Sequence, residues 1–351
     1  MKQLNDFSYN ELFDLAINKP VMAQIELTKN CNQQCFFCFR YCTPKKKYKD
    51  LSINSWTRAI NKLIEIGIEE LNFSGGEIFL YKEVKELFNY AKRHGIKKIV
   101  VNTNGQTDIT KEDLRDVDEL VFSIHALGNK HNQITGRKGA FKEVLKSLND
   151  ALKMKRLKVG INTVVSQVNI DELQKIYDYF KDKRLFFHAF NIQIDQNNPT
   201  LKMNIKKIFP EYLTFIKKIP ENRRKLRHGM QNIFFKKFPE SIVPLPNCAG
   251  GKYKLIVDYK GDVYPCRYFQ NKEYYCGNIL KGDIQNIWKK GKGFKKFRDV
   301  VIRRQYPSKC KSCVKKDKCV GGCLAWRLCG QKTKSRQGDL RCEFGDAYSR
   351  T

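Results

Sequence analysis

Between Val21 and Ile194 the chain alternates short apolar runs with longer amphipathic stretches, and this alternation limits the fold more than any other feature. The apolar runs are "VMAQIELT" (21–28), "IEELNFSGG" (68–76), "KKIVVNTNG" (97–105), "DELVFSIHA" (118–126), "KVGINTVVS" (158–166) and "LFFHAFNIQI" (185–194). Near-continuous apolar strands of this kind belong to sheets covered on both faces. Residues 52–67, 81–95, 139–155 and 169–183 have helical spacing, the first opened by Ser52 and the second closed by Gly95. A further short helix is expected between the third and fourth strands. Six strands alternating with helices predict an α/β fold with a parallel sheet and helices outside. Periodicity leaves open whether that sheet closes into a barrel.

The rest of the chain follows other patterns. Residues 1–20 form an N-terminal segment with the spacing of a short surface helix and no apolar core, unlike a signal peptide. Residues 195–246 break the alternation at "DQNNPT" and read as a bridging helical segment. Residues 247–351 carry short elements: a hairpin over "YKLIVDYKGDVYPC" turning at Lys260-Gly261-Asp262, then one helix over 283–301. What remains is cysteine-rich loop, which needs metal to hold it together.

Cysteine placement sharpens this division. Of 13 cysteines, four lie between 31 and 42, none between 43 and 247, and nine from 248 to 342. No stretch approaches the ~18 apolar residues of a membrane span. The expectation is a cytoplasmic chain with reduced thiols, whose cysteines bind metal in two separate regions. Cys31, Cys35 and Cys38 stand in C-x3-C-x2-C spacing directly after the first strand, at the end of an α/β sheet where active sites form. Structural zinc takes a closed set of four ligands, and Cys42 is at hand to complete one. Iron–sulfur clusters are held by thiolates in tight runs such as this. "FSGGE" (73–77) ends the second strand with two glycines that let a ligand approach the backbone, followed by the carboxylate of Glu77.

C-x3-C-x2-C after strand one, with Gly-Gly-Glu after strand two, resembles the radical S-adenosylmethionine (SAM) enzymes. The resemblance implies a partial (β/α)6 TIM-like barrel over 21–194. It also implies a [4Fe–4S] cluster on Cys31, Cys35 and Cys38, with the fourth iron left open for the amino and carboxylate groups of SAM. Cys42 then stands outside the cluster. An electron from the cluster cleaves the sulfonium, and the 5′-deoxyadenosyl radical abstracts hydrogen from substrate. By the same resemblance Phe37 contacts the adenine, while Phe36 and Phe39 pack the loop. Gly75, Gly76 and Glu77 hold the methionine amino end, and Ser123 and Arg137 hold the ribose or carboxylate. His125 stands where many relatives have Asp; it is either a ligand to a SAM hydroxyl or a satisfied strand histidine.

The C-terminal cysteines resemble the seven-cysteine SPASM extension of peptide-modifying radical SAM enzymes: Cys248, Cys266, Cys310, Cys313, Cys319, Cys323 and Cys342. That resemblance implies a small α+β domain with two auxiliary [4Fe–4S] clusters, three clusters in all. Cys310, Cys313, Cys319 and Cys342 hold the outer one; Cys248, Cys266 and Cys323 hold the inner one. Cys276 is the candidate for a fourth inner ligand, and otherwise a small buried residue; Cys329 has no assigned role. A pair of zinc sites is the alternative.

The charge of +31 is spread along the whole chain. It either decorates solvated faces or sets up a field for an acidic partner. The expected function is hydrogen abstraction from a ribosomally made peptide or protein substrate, forming a cross-link or oxidised residue. Expected partners are an acidic leader, an electron donor such as flavodoxin or ferredoxin, and a separate leader-binding protein. Three alternatives stand beside this. One is an anaerobic sulfatase maturase, disfavoured because Arg267, and not an acid, follows Cys266. Another acts on a small anionic molecule such as a porphyrin. The last modifies or binds RNA, although no RNA-binding module is visible.

Overall fold

The computed structural model describes residues 20–40, 42–192, 205–219, 250–302, 310–311 and 323–328. Six strands form one parallel sheet in chain order: β1 (Met22–Thr28), β2 (Glu70–Gly75), β3 (Lys98–Thr103), β4 (Glu119–Ser123), β5 (Lys158–Val165) and β6 (Phe187–Ile192). β6 does not pair back to β1, so the sheet is open, as in a partial barrel. The crossovers are α1 (Ile53–Glu65), α2 (Val84–Arg93), α3 (Gly128–Thr135), α4 (Ala140–Leu152) and α5 (Leu173–Phe180). Ser52 caps α1 by accepting from Ser55 N–H.

The short helix expected between β3 and β4 is instead a run of turns over 111–116. Thr110 and Asp113 bond reciprocally, as at a helix start, but the chain then closes with i→i+3 bonds such as Leu114 N–H to Lys111 O at 3.2 Å and no α-helix follows. α3 was not expected: its sequence "GNKHNQIT" lacks an apolar stripe, and Gly136 ends it in the left-handed conformation at φ +63°.

Alternation along the strands separates two faces. Ile25, Leu27, Phe73, Val101, Phe122, Ile161 and Phe190 bury one face against Trp56, Leu63, Phe88, Leu148 and Phe180 of the crossover helices. The other face is layered. At the N-terminal ends Lys98 lies 3.2 Å from Glu70 and 3.6 Å from Glu119. Above them Val100, Val121, Phe187 and Ala189 form a small apolar cluster. Toward the C-terminal ends the same face turns polar. Gln24 donates to Ser74 at 3.0 Å, Asn102 to Asn72 at 2.8 Å, and Asn191 to Asn162 at 2.5 Å. The strands therefore carry a polar lumen that their apolar composition conceals.

Beyond α6 (Ile205–Lys218), β7 (Lys254–Val257) pairs in parallel with β1. The expected hairpin follows to β8 (Asp262–Tyr264), and β9 (Gly277–Asn278) completes a nine-stranded sheet. At the turn, Asp258 Oδ1 accepts from the N–H groups of Lys260 and Asp262, and Gly261 takes φ +83°. The single helix expected over 283–301 is two: α7 (Ile284–Lys290) and α8 (Lys292–Ile302). Gly291 parts them, because its backbone lies against Ile287 and Cys276; a Cβ there would stand 2.4 Å from Ile287 O. α9 (Leu324–Leu328) is the last described element.

Candidate active site

The loop after β1 is fixed by its neighbours at both ends. At its start, Gly76 N–H donates to Thr28 O at 2.7 Å, and Glu77 N–H to Asn30 O at 2.8 Å. Both glycines are required for this approach. A Cβ on Gly75 would lie 2.3 Å from Thr28 O, and one on Gly76 2.0 Å from Asn30 O; Gly75 also has φ +130°. Farther along, Gln34 N–H donates to Thr135 O at 2.9 Å and Phe36 N–H to Ile134 O at 3.2 Å. The unforeseen α3 thus carries the cysteine loop.

Glu77 is fully buried and turns inward. Its Oε1 accepts from the Thr103 hydroxyl at 2.7 Å and from Phe79 N–H at 3.3 Å; its Oε2 accepts from Asn104 N–H at 2.7 Å. Burial pushes its carboxyl up to about 7 against these donors. The carboxylate therefore ties β2 to the end of β3. Asn104 in turn donates to Asn32 Oδ1 at 2.8 Å and sits 3.8 Å from Cys31 Sγ. The "NTNGQ" run (102–106) was not singled out in the sequence, although an amide-rich strand end beside a cysteine loop is a usable signal.

Cys31, Cys35 and Cys38 stay partly accessible. Each lies close enough to the others for its charge to be felt: burial first, then Cys38, pushes Cys35 up, and burial pushes Cys31 up to about 12. Among the described residues no three Cys, His, Asp or Glu side chains gather tightly enough for a single metal ion. A tetrahedral zinc would need sulfurs about 3.8 Å apart, from Zn–S bonds of about 2.3 Å. Three neighbouring thiols on one loop could hold a multi-iron cluster, whose binding would displace the protons that burial now retains. Cys42 lies buried beside this set, and its thiol donates to Cys38, lowering Cys38 and raising itself.

Phe37 is buried against His125, ring centroids 4.7 Å apart, and packs with Ala126 and Ile134. Phe36 is exposed and meets Phe37 edge-on, while Phe39 leans on Tyr268 of the hairpin loop. His125 is a neutral imidazole: burial holds it well below its usual range. Its Nδ1 accepts from Val164 N–H at 3.2 Å, which leaves the ring proton on Nε2. Its own N–H donates to His131 Nδ1, and its carbonyl accepts from Asn169. These bonds fix the ring just beyond β4 and leave its Nε2–H without a hydrogen bond among the described residues. Ser123, half-buried at the end of β4, has no side-chain bond among the described residues. Arg137 pairs with Glu143 at 2.9 Å, and its Nε is buried without a partner.

A buried network joins this loop to the hairpin. Glu26 on β1 lies 2.6 Å from Arg40 of the cysteine loop and accepts from Gln270 at 2.7 Å; Arg40 also donates to Gln270. Burial pushes the Glu26 carboxyl up, and Arg40 opposes it. Arg267 stacks over Tyr268 at 4.9 Å and Phe39 at 5.9 Å, so a basic group follows Cys266 here. Cys276 is buried, donates to Tyr274 O at 3.4 Å and packs on Gly293; burial pushes it up to about 12. Cys266, Cys310 and Cys323 are described, whereas Cys248, Cys313, Cys319, Cys329 and Cys342 lie outside the described residues.

A parallel sheet, a three-thiol loop after β1 and a diglycine turn after β2 define the class: this is a radical SAM enzyme. The chain matches the radical SAM superfamily over residues 25–180. Residues 248–314 match the SPASM iron–sulfur cluster-binding domain, so the chain combines both. It is 25% identical over 334 residues to a protein named mycofactocin maturase MftC from Mycolicibacterium smegmatis, covering 90% of this chain and 81% of that one. It is 26% identical over 329 residues to an AdoMet-dependent heme synthase from Methanosarcina barkeri, covering 87% and 91%. Its fold is that of Streptococcus suis SuiB bound to S-adenosylmethionine, with TM-score 0.71, 19% identity and coverage of 93% and 78%. It is also that of anSMEcpe with AdoMet and a peptide, with TM-score 0.72, 20% identity and coverage of 91% and 93%.

Proposed function

We propose that this enzyme modifies a ribosomally made peptide or protein by abstracting hydrogen from it. The observation that carries the reading is the likeness to the mycofactocin maturase along nine-tenths of the chain, combined with the polar lumen beneath the cysteine loop. Asn72, Asn102, Asn162 and Asn191 offer donors and acceptors suited to the amide groups of an extended peptide. Within the site, Cys31, Cys35 and Cys38 would hold the [4Fe–4S] cluster. Once bound, that cluster supplies the electron that cleaves SAM to a 5′-deoxyadenosyl radical. Phe37 would present an apolar wall to the adenine, Ser123 a hydroxyl to the ribose, and Arg137 Nε a donor to the carboxylate. Gly75 and Gly76 would leave backbone exposed for the amino end, while Glu77 holds β2 against β3. We assign the two auxiliary clusters to the SPASM cysteines, three clusters in all, and keep the divisions 1–20, 21–194, 195–246 and 247–351. We also assign it a low-potential one-electron donor of the flavodoxin or ferredoxin type and a cytoplasmic location.

The likeness to the heme synthase supports a second reading, in which the substrate is an anionic porphyrin. One experiment separates the two. The reconstituted enzyme is given SAM, a reductant and any short peptide encoded beside its gene, with an iron porphyrin as the competing substrate. A mass change confined to one or two residues of the peptide is the expected result. An unchanged peptide, with an iron porphyrin consumed in its place, would sink the first reading.

A further inference from the structure

Some described surface lysines pair with carboxylates, as Lys92 does with Asp118, Lys130 with Asp171 and Lys153 with Asp150. A patch of lysines without such pairs lies beside the cysteine loop. Lys29, Lys45, Lys46, Lys47, Lys49 and Lys260 make no ion pair among the described residues, and all but the half-buried Lys29 are exposed. They surround two tyrosines whose rings meet edge-on, Tyr48 and Tyr259, with centroids 5.9 Å apart. Lys29 Nζ lies 4.8 Å from the Tyr48 centroid and Lys46 Nζ 5.1 Å; Lys260 Nζ lies 5.5 Å from that of Tyr259. Rings hold these ammonium groups in place without neutralising them. The acid within the run, Asp50, is spent internally: it accepts from Thr28 at 2.7 Å and Asn30 at 3.0 Å.

The patch is also fastened to the cysteine loop. Tyr48 N–H donates to Asn30 Oδ1 at 2.8 Å, and Asn30 Nδ2 returns to Tyr48 O at 2.9 Å. Asn30 directly precedes Cys31. Lys45–Lys49 follow Cys42 within seven residues, and Lys260 comes from the hairpin turn. Unpaired positive charge thus runs up to the cysteine loop.

We propose that this patch docks an acidic one-electron carrier protein of the flavodoxin or ferredoxin type. The inference rests on reading Cys31, Cys35 and Cys38 as the cluster ligands. On docking, the carrier is oxidised by one electron and the centre on the cysteine loop is reduced by one; no proton or bond moves with it. A substrate has to reach the lumen, whereas a carrier has only to approach the ligand loop from outside. Complementary charge would act mainly on the encounter rate and would weaken with salt.

The test is the quadruple variant Lys45→Glu, Lys46→Glu, Lys47→Glu, Lys260→Glu in the reconstituted enzyme. 5′-Deoxyadenosine formation is measured once with reduced bacterial flavodoxin and once with dithionite. Binding of oxidised flavodoxin is titrated separately through its flavin absorbance. The expected result is a flavodoxin-driven rate down by about tenfold or more at low salt. Flavodoxin affinity should fall in parallel, and the dithionite-driven rate should be unchanged. Equal losses with both reductants would overturn the proposal, as would unchanged flavodoxin affinity. Loss of binding to an acidic peptide or single-stranded RNA, with flavodoxin behaviour intact, would assign the patch to that ligand and overturn it too. If dithionite yields no 5′-deoxyadenosine even in the unaltered enzyme, the reading of the cysteine site fails, and the titration alone decides the docking.

Discussion

Gly76 shows how one residue links sequence to chemistry. Its missing side chain lets β2 touch the start of the cysteine loop, and an added Cβ would sit 2.0 Å from a backbone oxygen that cannot retreat. Gly76→Ala should therefore displace Asn30 and Cys31; we expect loss of 5′-deoxyadenosine formation and fewer bound irons, read by iron analysis against the unaltered enzyme. The buried imidazoles make a second point. His188 Nε2 donates to Thr163, whose hydroxyl is itself committed to Ile124 O, and burial holds the ring down to about 3. Burial alone holds His131 down to about 4. Both stay neutral in the fold but would protonate near 6.5 once unfolded. Their contribution is complete above 6.5 and is lost as pH falls toward 4 and 3. The urea midpoint should fall between pH 7 and pH 5, and less steeply in His188→Phe; equal slopes would contradict this. In the sequence, the three thiols and Gly-Gly-Glu could be read directly, because their spacing is local. The inward turn of Glu77 could not, because its partners Thr103 and Asn104 come from another strand.

At the scale of elements, four of the helices and all six parallel strands follow from periodicity. What escaped were the pieces set by side-chain bonds and close backbone approach. Residues 111–116 close with i→i+3 bonds as turns where a helix was expected, and Gly291 splits one helix into two. α3 was missed because it has no apolar stripe to see: it takes the cysteine loop on the Ile134 and Thr135 carbonyls and on the Ile134 side chain. Gly291→Ala should push α7 away from Cys276 and cost about 1–3 kcal/mol. A urea titration following Trp288 fluorescence should move to lower denaturant, and an unmoved midpoint would contradict the packing described. The inner face holds the same lesson: the asparagines at 72, 102, 162 and 191 look incidental in single strands. Only the sheet brings them together as a polar lumen.

Across the whole molecule, β7 pairs with β1, so the hairpin bearing Cys266 shares one sheet with the loop bearing Cys31, Cys35 and Cys38. The Glu26–Arg40–Gln270 network reinforces that junction. Two metal regions that the sequence separates by two hundred residues are thereby held to a common frame. The central claim is that the thiols on the β1 loop form the SAM-cleaving centre while the C-terminal cysteines serve separately. Cys35→Ala tests it most directly, with 5′-deoxyadenosine and bound iron measured on the same anaerobically reconstituted sample. The account predicts no 5′-deoxyadenosine and retention of about two-thirds of the iron, one of the three proposed cubanes being lost. Continued 5′-deoxyadenosine formation by that variant would contradict it.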